Sequence, residues 1–151
     1  MTDNPQDADV RIEHERHAGF VIRNKQLLVM HRIKNGQEYY VIPGGHRRRG
    51  ETGEETVIRE VREETGIMIK NPKLVFEFDN HLSNGVHYYY LCEWVSGEKP
   101  QVLGEEKDAD PSVNFYEPVW VDLKKAEKLD ILPQYAKEWL MKYLADFVTS
   151  R

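Results

Sequence analysis

Residues 43 to 67 read PGGHRRRGETGEETVIREVREETGI, a stretch holding six glutamates beside three consecutive arginines. Carboxylates so crowded can bind a hard divalent cation. Whether they do depends on where a helix places them. Thr52 followed by Glu55 is a capping box, and Gly66 is placed as a left-handed terminator, so the spacing predicts a helix from about Gly53 to Thr65. At 100° per residue Glu60, Glu63 and Glu64 share an arc of about 100°, and Val57, Ile58 and Val61 occupy the neighbouring one.

The apolar stripe must pack on a sheet, so the carboxylates emerge along the seam between helix and core. Like charges at i and i+4 cost an exposed helix only ~0.2–0.5 kcal/mol per pair, but more at a partly desolvated seam. A cation should compensate. Arg59 and Arg62 could serve, pairing with Glu55 and Glu63, as in an ordinary solvated acidic helix; Mg²⁺ or Mn²⁺ is the other answer. The preceding PGG favours the ion, because it reads as a turn where backbone carbonyls approach closely.

Gly45, Glu51, Arg59, Glu60, Val61, Glu63, Glu64, Gly66 and Ile67 fit G-x5-E-x7-R-E-U-x-E-E-x-G-U, with U aliphatic. At every fixed position this resembles the Nudix hydrolase box. The resemblance implies an α/β fold, an α/β/α sandwich with a central mixed β-sheet and a catalytic loop-helix-loop. It implies hydrolysis of a nucleoside diphosphate linked to another moiety, with Mg²⁺ or Mn²⁺ on Glu60, Glu63 and Glu64 and a further ligand in the Gly44 carbonyl. Arg59 takes the part of the box arginine that orients a glutamate, and Glu51 that of a residue reaching the metal through water or holding the loop. Gly45 and Gly66 shape the box. Glu64 is the first candidate for general base, and Glu105 or Glu106, in a later loop, the alternative.

The elements that must hold this box are partly readable. At 151 residues, with 40% hydrophobic and 31% charged residues, the chain suits a single domain, 1–151, with residues 1–10 a polar leader. RIEHERHAG (11–19) has too little periodicity to assign. FVIRNKQLLVMHRI reads as two strands around a turn at Asn24 and Lys25, and YYVI as a third. LVFEF (74–78) and VHYYYLCEWV (86–95) should pair antiparallel, a long loop should span 96–114, and FYEPVWVDL reads as an edge strand because of its proline. A short helix is expected over 122–129. LPQYAKEWLMKYLADFV should form an amphipathic C-terminal helix, with Tyr135, Trp139, Tyr143 and Phe147 four apart.

A net charge of −5 argues against long nucleic acid as a partner. One cysteine, no apolar run of membrane-spanning length and no signal-like start read as cytoplasmic, with no membrane partner. The expected partner is a small nucleotide; a homodimer is an expectation of the resemblance only.

Candidate substrate contacts are Arg47 and Arg49 beside the box, Arg32 in the first hairpin, Tyr88 among several aromatics, and Glu105 and Glu106. For Arg47, Arg48 and Arg49 a phosphate clamp weighs evenly against a loop whose arginines pair with the surrounding glutamates. The segment downstream of the box, HLSN, lacks the proline of ADP-ribose-cleaving branches, and Tyr88 lies too far on for the dinucleoside-polyphosphate marker. The first substrate expectation is a small nucleotide such as a canonical or modified (d)NTP. Nucleotide sugars, ADP-ribose and dinucleoside polyphosphates are the alternative, and a non-catalytic nucleotide-sensing module the rival of a different class.

Overall fold

The computed structural model describes residues 10–80, 85–98, 100 and 114–149. In chain order these form β1 (Arg11–Arg23), β2 (Gln26–Lys34), β3 (Gln37–Val41), β4 (Gly44–Arg48), α1 (Gly53–Thr65), β5 (Met68–Asn80), β6 (Gly85–Ser96), β7 (Asn114–Asp122), α2 (Leu123–Ala126), β8 (Ile131–Leu132) and α3 (Gln134–Thr149). The sheet runs β5-β6-β1-β2-β3-β8, with β4 also paired to β1 and β7 to β2. It is mixed: β1 with β6 and β3 with β8 are parallel, and the other pairs antiparallel.

Both faces of this sheet are covered, which successive residues of its strands make visible. Phe20, Leu27 and Tyr89 belong to one core, with Ala136 and Leu140 of α3; their neighbours Val21, Leu28 and Tyr90 belong to the other, with Val57 and Val61 of α1. Side chains alternate across a strand, so α1 and α3 lie on opposite faces, as an α/β/α sandwich requires. Strands buried on both sides read as near-continuous apolar runs, and Leu27 to Met30 is one.

The hairpin turn falls at Asn24 and Lys25, whose φ values of 51° and 62° match the two left-handed residues of a tight two-residue loop. β5 and β6 pair antiparallel, and β2 is the strand partner of β7 among the described residues, so the proline-bearing strand is at an edge there. Two expectations need correction, and one unassigned stretch is now resolved. Residues 11–19 are strand, because β1 is stabilised by pairing with β2, β4 and β6 and not by a local apolar rhythm. The second helix is shorter than 122–129: it ends at Ala126, beyond which the Lys128 and Leu129 N–H groups bond to carbonyls three residues back, at Lys125 and Ala126, so the chain continues as turn. PGG is more than a turn: Gly44 and Gly45 open β4, paired with Ala18 and His17. No helix among the described residues is long and apolar enough to cross a membrane. Residues 1–9 of the 1–10 leader and most of the 96–114 loop lie outside the described residues.

Candidate active site

Helix α1 begins and ends where its local chemistry dictates. Thr52 Oγ1 accepts from the Glu55 N–H at 3.1 Å, and Glu55 Oε1 accepts from the Thr52 N–H at 2.8 Å. Gly66 closes the helix at φ 75°, donating its N–H to the Arg62 carbonyl. Val57 and Val61 are fully buried against the sheet, so the next stripe, with Glu60, Glu63 and Glu64, faces the loop that precedes the helix.

Arg59 organises that loop. Its Nε and Nη2 donate to the two oxygens of Glu51 at 2.6 and 2.9 Å, its Nη2 also reaches the His46 carbonyl at 3.2 Å, and its Nη1 bridges Glu60 at 2.7 Å and Glu63 at 3.3 Å. Glu51 accepts further from the Arg48 N–H and the Thr56 hydroxyl. Burial alone would raise the Glu51 carboxyl, but these donors, Arg59 foremost, bring it down to about 2. The hydrogen bond to Glu51 likewise pushes Arg59 above its already high ordinary value.

A second network fastens β4 to β1. Arg47 forks onto Glu15, with Nε and Nη2 each 3.0 Å from a carboxylate oxygen, and its Nη1 reaches the Glu51 carbonyl at 3.1 Å. The Arg47 hydrogen bonds hold Glu15 below its usual range. Being deprotonated, Glu15 can only accept, so His17 Nε2–H donates to it at 2.9 Å and His17 Nδ1 accepts from the Tyr90 hydroxyl at 2.8 Å. Burial lowers the His17 pKa despite Glu15, which favours the neutral ring. His17 also stacks on Tyr88, with ring centroids 4.7 Å apart.

Glu64 faces a small cleft of about 170 Å³ together with Gly44, Arg16, Met30, Arg32 and Tyr116. Larger hollows, of about 860 Å³ along α3 and about 600 Å³ mainly against β1, β5 and β6, hold none of the box glutamates, so size is not the guide to the chemistry. Arg32 is the register partner of both Tyr39 on β3 and Tyr116 on β7, and it donates to the Tyr116 hydroxyl.

Of the residues expected from the sequence, Glu51, Arg59, Glu60 and Glu63 meet in one network, and Glu64, Gly44 and Arg32 meet in the cleft. Arg47 and Tyr88 belong to the Glu15–His17 network instead. Arg48 stands 4.0 Å from Glu63, the alternative of loop arginines pairing with glutamates, and Arg49 is exposed with its N–H on the Val10 carbonyl. Glu105 and Glu106 lie outside the described residues. Arg16, Glu15 and His17 escaped the sequence reading, because they sit on a strand without periodicity.

The residues fit a hard divalent cation by donor type: three carboxylates on one helix face, beside a glycine loop. The fit is close at Gly45, where a Cβ would stand 2.4 Å from the Glu60 carboxyl carbon, so only glycine leaves room for that carboxylate. Among the described residues no three acidic, histidine or cysteine side chains are already drawn into a metal cluster, and Arg59 holds Glu60 and Glu63 instead.

The NUDIX domain model matches residues 13–143. An uncharacterized Nudix hydrolase of Bacillus subtilis, YvcI, is 39% identical over 70 residues, which cover 46% of this chain and 42% of that protein's length. Among solved structures, the MutT NUDIX hydrolase from Burkholderia pseudomallei is similar with TM-score 0.60 and 23% identity, over 85% of this chain and 95% of that one. The MutT protein from Methanosarcina mazei Go1 gives 0.63 and 21%, over 87% and 93%. At these identities the likeness is one of fold.

Proposed function

The chain belongs to the Nudix family and is an enzyme of the hydrolase class; on that premise we propose that it cleaves the diphosphate linkage of a small nucleotide. The observation that carries this reading is the placement of Glu64 in the cleft, on the same face of α1 as Glu60 and Glu63. Glu60, Glu63, Glu64 and the Gly44 carbonyl are the groups that would hold Mg²⁺ or Mn²⁺. When bound there, such an ion would supply neutralisation of phosphate charge and a more acidic water.

The chain's own residues supply the rest. Glu64, facing the cleft, takes the proton from the attacking water. Arg59 is held independently of Glu60 and Glu63 as well, since Glu51 takes two N–H donors on one edge of its guanidinium and the His46 carbonyl accepts from Nη2. Its Nη1 contacts to Glu60 and Glu63 are therefore the ones a divalent cation would compete with. Arg47, through Glu15 and the Glu51 carbonyl, keeps the loop at a fixed distance from β1.

The test is a panel of nucleoside triphosphates, oxidised dNTPs, ADP-ribose, dinucleoside polyphosphates and nucleotide sugars, assayed with Mg²⁺ and with chelator. Hydrolysis of at least one nucleotide, abolished by chelator, supports the reading. Tight binding of one compound with no hydrolysis of any would overturn it in favour of a sensing module.

A further inference from the structure

Gly53 opens α1 at a position that the box pattern leaves free, yet only glycine fits there without displacing a neighbour. A Cβ on it would stand 2.2 Å from the Tyr90 hydroxyl oxygen, and 2.7 and 2.8 Å from Cε1 and Nδ1 of the His17 ring. The first residue of the helix therefore rests on the hydrogen-bonded edge that Tyr90 and His17 share. Tyr90 is 4% and His17 3% exposed, so this seat is built from the core and not from the loop.

The seat continues into the loop before α1. Tyr90 donates to His17 Nδ1 at 2.8 Å and His17 Nε2–H to Glu15 at 2.9 Å, while Arg47 forks onto Glu15 and also reaches the Glu51 carbonyl at 3.1 Å. Glu15 can only accept, so it fixes the His17 tautomer and with it the direction of the Tyr90 hydroxyl. Glu51 is held at both ends, its carbonyl by Arg47 and its carboxylate by Arg59, and Arg59 in turn touches Glu60 and Glu63. Two routes thus lead from the buried pair to the box carboxylates, one through Gly53 and one through Glu51.

The candidate metal ligands come from two elements, three carboxylates from α1 and a carbonyl from Gly44, which is paired with Ala18 beside His17. Mg²⁺ demands near-ideal octahedral geometry, so ligands on separate elements serve it only if their spacing is fixed. We infer that His17 and Tyr90 are positioning residues for the hydrolysis, seating the first turn of α1 so that the box carboxylates keep their place relative to the Gly44 carbonyl. They act through Gly53 and through the Glu15–Arg47–Glu51 link. The inference rests on the hydrolytic reading above and deepens it.

The experiment compares the full-length protein with Tyr90→Phe, which removes the hydroxyl of the seat, and with Gly53→Ala, which presses on the seat from the helix side. Alanine is the best helix former, so on propensity alone Gly53→Ala would favour α1. Leu144→Ala, a truncation on α3 against the opposite core, is the comparator for a general loss of packing. Mn²⁺ affinity is measured by calorimetry without substrate, and kcat and KM with Mg²⁺ on the nucleotide that the wild type hydrolyses. Tyr90→Phe and Gly53→Ala should each weaken Mn²⁺ binding about threefold or more and lower kcat about tenfold or more, with KM within about threefold, the pattern of misplaced catalytic groups. Leu144→Ala should lower the melting temperature and change neither. Wild-type Mn²⁺ affinity and kcat in both seat variants, or equal losses in Leu144→Ala, would overturn the role. If one seat variant does not fold, the other carries both arms. If the wild type binds Mn²⁺ but hydrolyses nothing, the hydrolytic reading fails, while the Mn²⁺ titration still decides whether the pair positions the carboxylates. Absence of Mn²⁺ binding by the wild type would overturn the role together with the metal-dependent reading.

Discussion

Arg59 and Glu51 form a bidentate pair along one edge of the guanidinium, Nε to Oε2 at 2.6 Å and Nη2 to Oε1 at 2.9 Å, across eight residues of chain. The pair ties the loop after β4 to the middle of α1, and it fixes the arginine that touches Glu60 and Glu63.

Glu51→Gln should lower stability by about 1.5–3 kcal/mol, the range for hydrogen bonds to charged groups. A carboxyl whose folded pKa is brought from 4.5 to about 2 stabilises the fold fully above 4.5 and gives that stability up as the pH falls toward 2. The difference in unfolding free energy between wild type and variant should therefore be constant from neutral pH to about 5 and shrink below 4.5. Urea denaturation across that range measures it, and a difference that did not vary with pH would contradict the pairing.

Gly44 and Gly45 should respond oppositely to alanine. A Cβ on Gly44 would stand 2.3 Å from the His17 carbonyl oxygen and 2.4 Å from the Ala18 Cα, and neither backbone atom can swing aside. Gly44→Ala should cost about 1–3 kcal/mol or more in stability. On Gly45 the obstacle is the tip of the Glu60 side chain, which can move. Gly45→Ala should change stability by less than about 1 kcal/mol while turnover falls about a hundredfold, the scale expected of a misplaced catalytic group. Melting curves and turnover measured on the same preparations separate the two.

Burial lowers the His17 pKa, so the neutral ring stabilises the fold fully above the ordinary 6.5, and that contribution is lost as the pH falls through the lower folded value. Tyr90→Phe removes the hydroxyl that donates to Nδ1 and should cost about 1–3 kcal/mol. With Nδ1 unpartnered the ring protonates more readily and its folded pKa moves back toward 6.5, so the acid loss of stability should be smaller in the variant and level off at a higher pH. Denaturation midpoints between pH 5 and 8 check this, and superimposable pH profiles would refute it.

Helix α1 was legible to the residue, because everything that bounds it is local: Thr52, Glu55 and Gly66 act within one turn of their own positions. The metal-ligand candidates followed from that helix and a box of fixed spacing. β1 was not legible. Glu15, Arg16 and His17 stand in a strand interior where sequence alternation suggests nothing, since their partners Arg47, Ile42 and Tyr90 lie 26 to 73 residues away. For the same reason Arg16 was missed as a cleft residue. Arg32 was a candidate, but its setting between Tyr39 and Tyr116 depends on the registers of β3 and β7, which no local pattern encodes.

The central claim is that Glu64 acts in a divalent-metal-dependent hydrolysis. Its most direct test is the turnover of a nucleoside triphosphate by Glu64→Gln, with Mg²⁺, beside the wild type with and without chelator. The wild type should be active only without chelator, and the variant should melt like the wild type while its kcat falls about 10²–10⁴-fold. Near wild-type turnover in a folded Glu64→Gln would contradict the assignment.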